Sequence, residues 1–152
     1  MADTRVQLEV EAWVRNHWMP QHLGTSFEPK RLKLQPGGFF EFDAVCSNGE
    51  VVATISTSAA KTAGGKLATG AVMKHRSDML FLLMAPAIRR LLILTDGTMD
   101  LFWQRQRARG RVPTQIEVMQ ADIPSELQER LDQARGRSSA EMLPHLATPN
   151  EV

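Results

Sequence analysis

A single cysteine, Cys46, stands in a chain of 152 residues. An internal disulfide is therefore impossible, and one Cys with four scattered His supplies no spaced set of zinc ligands. Long hydrophobic runs are missing too. The longest near-apolar stretch, Met79 to Ile88, is bounded by Asp78 and Arg89, interrupted by Pro86, and too short to span a bilayer. The opening residues MADTRVQLEVE lack the apolar core of a secretory signal, so the expected setting is cytoplasmic, with no membrane and no disulfide-linked partner. Ten glycines and eight prolines are too few for collagen-like or low-complexity classes. What is present is an ordinary globular composition, 43% apolar and 23% charged, in a length that buries roughly 70% of the surface of the unfolded chain.

The net charge of +1 hides a polar division of the chain. Residues 1–28 carry two Lys/Arg against four Asp/Glu, residues 29–114 thirteen against six, and residues 115–152 three against seven. The positive middle holds Lys30, Arg31, Lys33, Lys61, Lys66, Lys74, Arg76, Arg89, Arg90 and the arginines of RQRARGR, from Arg105 to Arg111. Such a band can neutralise phosphates; it can equally be a solvated face balanced by an acidic C-terminal helix.

Val6, Val10, Trp13, Val14 and His17 recur at helical spacing after a capping Asp3 or Thr4, and the helix is expected to stop near Met19-Pro20. Glu9 lies at the edge of that face. A loop with Gly24 and Pro29 follows. Residues 37–58, GGFFEFDAVCSNGEVVATISTS, then read as a hairpin about Asn48-Gly49, with a type I′ turn. That turn sets Ala44 opposite Ala53, Val45 opposite Val52 and Asp43 opposite Thr54. One face then carries Phe40, Phe42, Ala44, Cys46, Val51, Ala53 and Ile55, and the other carries Glu41, Asp43, Val45, Val52, Thr54 and Ser56.

Beyond a Gly64-Gly65 loop, a long helix is expected over about 66–85, with Val72, His75, Met79 and Leu82 on its inner side and His75 a core residue. RRLLILT reads as a buried strand, Asp96-Gly97 as a turn, MDLFWQRQ as a partner strand and QIEVMQADI as another. A final helix opens at Pro124-Ser125 and runs to about Arg135. The expected fold is α/β, a mixed central sheet with helices on its faces, in one domain over residues 1–136. Residues 137–152 form a loosely held polar tail.

A leading helix with an acidic residue, the Asp of FEFDAV on one hairpin strand, polar positions in ATISTS on the next, then a helix and a buried strand resemble the PD-(D/E)XK phosphodiesterase superfamily, the restriction-endonuclease-like fold. The resemblance covers roughly Val6 to Trp103. It implies that Glu9, Asp43, Thr54 and Ser56 stand where active members converge on Mg²⁺ and the scissile phosphate. It also implies a nucleic-acid partner. Two of these four depart from the pattern, since Thr54 replaces an acid and Ser56 a lysine. A migrated site would use Glu41 and Asp43 as metal ligands, Glu9 as support, and Lys61 or Lys66 as electrophile. Alternatively Thr62, Gly64 and Gly65, at the start of the long helix, with Lys74 and Arg76 within it, would hold a phosphate without cutting it. Thr54 and Ser56 would then be binding positions. On the residues alone, Asp43, Thr54 and Ser56 also fit the plain solvent side of a hairpin. The function expected is nucleic-acid binding through the basic face with weak or absent hydrolysis. The alternatives are an active Mg²⁺-dependent nuclease or an assembly module built on Trp18, Phe102 and Trp103.

Overall fold

The computed structural model of the chain describes residues 4–142, with side chains as far as residue 136. The chain opens with α1, Thr4–Trp13, whose Val6 and Val10 face the core. A π-helical turn, Val14–Trp18, continues it into α2, Met19–Leu23. The helix therefore runs through Pro20 rather than stopping before it. The amide of Met19 reaches back to the Val14 carbonyl, and this wider turn carries the chain into a new α-helical segment in which Pro20 occupies a first-turn position, where its missing N–H is least costly.

Three antiparallel strands follow: β1, Phe27–Lys33; β2, Phe39–Cys46; and β3, Val51–Ser56. Pro29, expected in a loop, lies within β1, an edge strand where a residue without an N–H is tolerated. The hairpin register is as expected, Ala44 opposite Ala53 and Val45 opposite Val52. Its turn is not type I′. Only Gly49 takes a positive φ, 74°, and its amide bonds the Cys46 carbonyl at 3.0 Å. Asn48 stays out of the left-handed region while its Oδ1 accepts from the Glu50 amide (3.0 Å) and the Cys46 thiol (2.9 Å).

The two faces of the hairpin also differ from simple alternation. Between Glu28↔Val45 and Lys30↔Phe42 the β1–β2 register slips, so Asp43 and Ala44 together stand opposite Pro29. This bulge reverses the sidedness of β2. Phe42 shares a core with Val45 and Val52, whereas Ala44 and Cys46 share the other with Ala53 and Ile55.

β3 leads through α3, Thr69–Met84, to β4, Arg89–Leu94, and β4 through α4, Gly97–Ala108, to β5, Ile116–Gln120. Both pairings, β3–β4 and β4–β5, are parallel, and the sheet order is β1-β2-β3-β4-β5. Residues 97–108, expected as a turn and strand, are helical. Asp96 accepts from the amides of Thr98 (2.9 Å) and Met99 (3.1 Å), an N-cap that a turn reading of Asp-Gly overlooks. α5, Ser125–Met142, carries its helical backbone past Arg135, where it was expected to end; the remaining tail, 143–152, lies outside the described residues.

The result is α/β: a five-stranded mixed sheet between two helical layers. Val6, Val10 and Val14, with Leu131 and Ala134 of α5, pack on Ala44, Ala53, Ile55, Leu91 and Ile93. On the opposite face Val72, Met79 and Leu82 of α3, with Met99 and Trp103 of α4, pack on Phe42, Val52, Leu92, Leu94 and Ile116. His75 is buried in this second layer and accepts the Trp103 indole N–H on Nδ1 at 3.0 Å. Burial holds its pKa down at about 4, so it is neutral at pH 7. No helix among the described residues is long and apolar enough to cross a membrane.

Candidate functional site

The bulge decides where Asp43 points. Below the Ala44↔Ala53 rung the ladder between β2 and β3 is interrupted, and Asp43 Oδ2 takes over by accepting the Ile55 amide at 2.8 Å. The Asp43 carbonyl accepts from Arg15 Nη1 at 3.2 Å, which ties the bulge to the leading helical layer. Next to it lies Glu11 of α1, which hydrogen-bonds the Asp43 carboxyl. Burial, then the Asp43 charge and this hydrogen bond, raise the Glu11 pKa to about 7, against the opposing pull of Arg15 and Lys74. Two carboxyls thus meet, and Glu11 is the one whose neutral form the fold favours.

A cavity of about 300 Å³ opens beside the pair, lined by Glu11, Asp43, Ser56, Thr57, Ser58 and Lys74 among others. A second, of about 410 Å³, lies between Glu11, Arg15, Glu41 and Asp43. Lys74 Nζ sits 3.1 Å from Asp78 Oδ2. Asp78 is itself buried, and burial raises its pKa despite the lysine. Arg15 thus stands 3.5 Å from Glu11, while Lys74 acts on Glu11 and pairs with Asp78.

Of the residues expected here, Asp43, Glu41, Ser56 and Lys74 line these two cavities. Glu9 does not. It lies on the exposed side of α1 and forms a bidentate pair with Arg130 of α5, at 2.7 and 2.8 Å. Glu11, two positions on, occupies the place expected for it. Thr54 points the other way, buried with Val52 toward the α3 layer, because β3 is a central strand covered on both faces rather than half-exposed. Lys61, Thr62, Gly64, Gly65 and Lys66 form an exposed turn of their own. The Thr62 amide bonds the Lys66 carbonyl (2.8 Å), Gly65 bonds back to Thr62 (2.9 Å) at φ 80°, and Lys61 bridges Leu67. None of these lines the acid cavities. Arg76 lies over the Trp103 ring, 5.3 Å from its centroid.

Sequence reasoning missed Glu11, Arg15 and Asp78. Gln7, Glu11 and Arg15 flank the Val6–Val10–Val14 stripe on one side and Glu9 and Trp13 on the other. The spacing marks both flanks but does not say which meets the hairpin.

The Mg²⁺ implied by the resemblance can be tested against these donors. Asp43 Oδ2 is engaged by the Ile55 amide, Glu11 and Asp43 hold each other, and the position expected to supply a further acid is the inward-facing Thr54. Among the described residues no three His, Cys, Asp or Glu are grouped to hold a metal ion. The donor set does not fit a dedicated cation cage.

A separate groove of about 430 Å³ lies against α4, lined by Lys61, Leu67, Leu101, Phe102, Arg105, Gln106 and Arg109 together with Ala60 and Thr98. Among the described residues, no acidic one lines it. Among the described residues, Lys61, Arg105 and Arg109 form no ion pair, whereas Arg89 is bound to Glu117 at 2.9 Å and Arg90 to the carbonyls of Leu82 (2.8 Å) and Ala85 (2.9 Å). No protein-family model, curated protein or solved structure matches this chain.

Proposed function

We propose that the chain is a nuclease-like protein of the PD-(D/E)XK type that binds nucleic acid and does not cleave it. The observation that carries this reading is the groove along α4, where three cations that form no ion pair among the described residues, Lys61, Arg105 and Arg109, stand with apolar side chains. Cations left unpaired in one concave place are arranged for a polyanion. The order of elements supports the family reading: a helix, a three-strand meander, a helix and a parallel strand, with an acid on the second strand and another, Glu11, on the leading helix.

In this reading the acid pair is a structural remnant. Asp43 holds β3 and Glu11 rather than a metal, and Lys74 offers a cation that Asp78 already engages. Mg²⁺ has no required part.

The test is binding of a labelled oligonucleotide over a salt series, together with plasmid nicking in Mn²⁺ and Mg²⁺. The logarithm of affinity is expected to fall linearly with the logarithm of salt. Replacing Lys61, Arg105 and Arg109 together by Ala should flatten that slope by about 0.7–0.9 per lost phosphate contact. Salt-independent binding removes the reading, and nicking that disappears in Asp43→Ala turns it into a hydrolase.

A further inference from the structure

The α4 groove contains one feature that phosphate binding does not use. Gln106, on the groove wall, is 8% exposed, and its Oε1 accepts no hydrogen bond. An orphaned buried acceptor is costly in an isolated fold and becomes favourable when a ligand supplies the donor. Around it the groove presents apolar surface: Leu67 is 46% and Leu101 49% exposed, and Phe102, which packs on the core edge-on to Trp103, is half-buried beside them. Lys61, Arg105 and Arg109 stand on its rim.

A phosphate alone satisfies the cations and leaves both the acceptor and the apolar wall unused. A duplex offers phosphates but keeps its base faces stacked. An unpaired nucleobase meets all three needs: a flat face for Phe102 and Leu101, an N–H for the Gln106 oxygen once that buried amide turns toward the groove, and a flanking phosphate for the cations. Adenine suits a glutamine well, because its N6 amine donates to the amide oxygen while N7 accepts from the amide nitrogen.

We infer that this groove is a single-strand site, which seats one unpaired base against Phe102 and Gln106 and holds its phosphates with Lys61, Arg105 and Arg109. The inference rests on the reading of the chain as a nucleic-acid binder and specifies which form of nucleic acid it takes. The acid pair at Glu11 and Asp43 has no part in it.

Fluorescence anisotropy with the full chain tests it on three probes of about 12 nucleotides, a length within the usual range for single-strand sites. These are an oligo-dA strand, the same strand annealed to its complement, and an abasic strand with the same phosphates. The single strand should bind about tenfold or more tighter than the other two, the scale of one stacked base. Gln106→Met, close in shape but without the acceptor, and the half-exposed Leu101→Ser should each lower affinity for the single strand more than for the duplex and so reduce that preference. Circular dichroism confirms that both variants fold. Equal, salt-dependent affinity for all three probes overturns base recognition and leaves nucleic-acid binding standing. Binding to none of them overturns both. A polyglutamate peptide that binds as tightly as oligo-dA assigns the groove to an acidic protein and likewise overturns the inference.

Discussion

Asp43 Oδ2 accepts the backbone N–H of Ile55 at 2.8 Å, so a side chain of β2 replaces a rung that the bulge removes from the ladder with β3. The bond lies beneath a nearly buried residue, Ile55 being 9% exposed, so water does not readily replace it. Asp43→Ala should orphan that amide and lower stability by about 1–3 kcal/mol. Asp43→Asn keeps an acceptor in place and should lose clearly less. Urea unfolding of the two variants checks the order. Equal losses would mean that charge, not the amide bond, is what Asp43 contributes.

Two groups, half-buried Glu11 and buried His75, push the pH dependence of stability in opposite directions. The Glu11 carboxyl is raised from 4.5 to about 7, so the fold favours its neutral form. Its contribution is complete below pH 4.5 and is lost as pH rises toward 7. The His75 imidazole is lowered from 6.5 to about 4, and here too the fold favours the neutral form. Its contribution is complete above pH 6.5 and is lost as pH falls toward 4. Asp78, raised by burial, adds to the Glu11 side. Over the shared window the slopes offset each other, and the native protein should show a shallow stability profile. Glu11→Gln removes one slope, so stability should then rise from pH 4.5 to 6.5 by as much as about 3 kcal/mol. His75→Gln should reverse the trend. Urea midpoints at three pH values across that window decide it; a Glu11→Gln profile as flat as the native one would overturn the account.

The parts of this fold that follow a period were legible in the sequence. The Val6–Val10–Val14 stripe and the Val72–His75–Met79–Leu82 face follow from spacing and are present, although His17, expected on the first of them, is exposed; the Ala44↔Ala53 register follows from the place of the Asn-Gly turn. The parts set by a single hydrogen bond or a single extra residue were not. Phe42 and Ala44 lie two apart, which places them on one face of any regular strand; the bulge opposite Pro29 separates them, and nothing in FEFDAV announces it. MDLFWQRQ alternates well enough for a strand, yet Asp96 closes two amides and commits it to a helix. The candidate site suffered from the same limit. A hairpin strand displays Asp43, whereas Glu9 and Glu11 lie on two flanks of one helix, and which of them meets Asp43 depends on where α5 lies.

Asp96 also links the fold to the groove. Its carboxylate caps α4, reaches Arg135 of α5 at 3.5 Å, and accepts from the Thr98 hydroxyl. The same hydroxyl oxygen accepts the Ala60 amide at 3.1 Å, immediately before Lys61. A cap on one helix therefore fixes the loop that carries one of the groove's cations. Asp96→Ala should cost about 0.5–2 kcal/mol through the lost cap. It should also weaken oligonucleotide binding, because Thr98 loses the partner that orients it. Asp96→Asn retains the cap and should leave both nearly unchanged. Thr98→Val separates the two effects: the carboxylate still caps α4, but the Ala60 amide loses its acceptor, so affinity should fall more than stability. Thermal melts and anisotropy on these three variants measure both quantities. Full oligonucleotide affinity in Thr98→Val would show that Lys61 reaches the groove without help from α4.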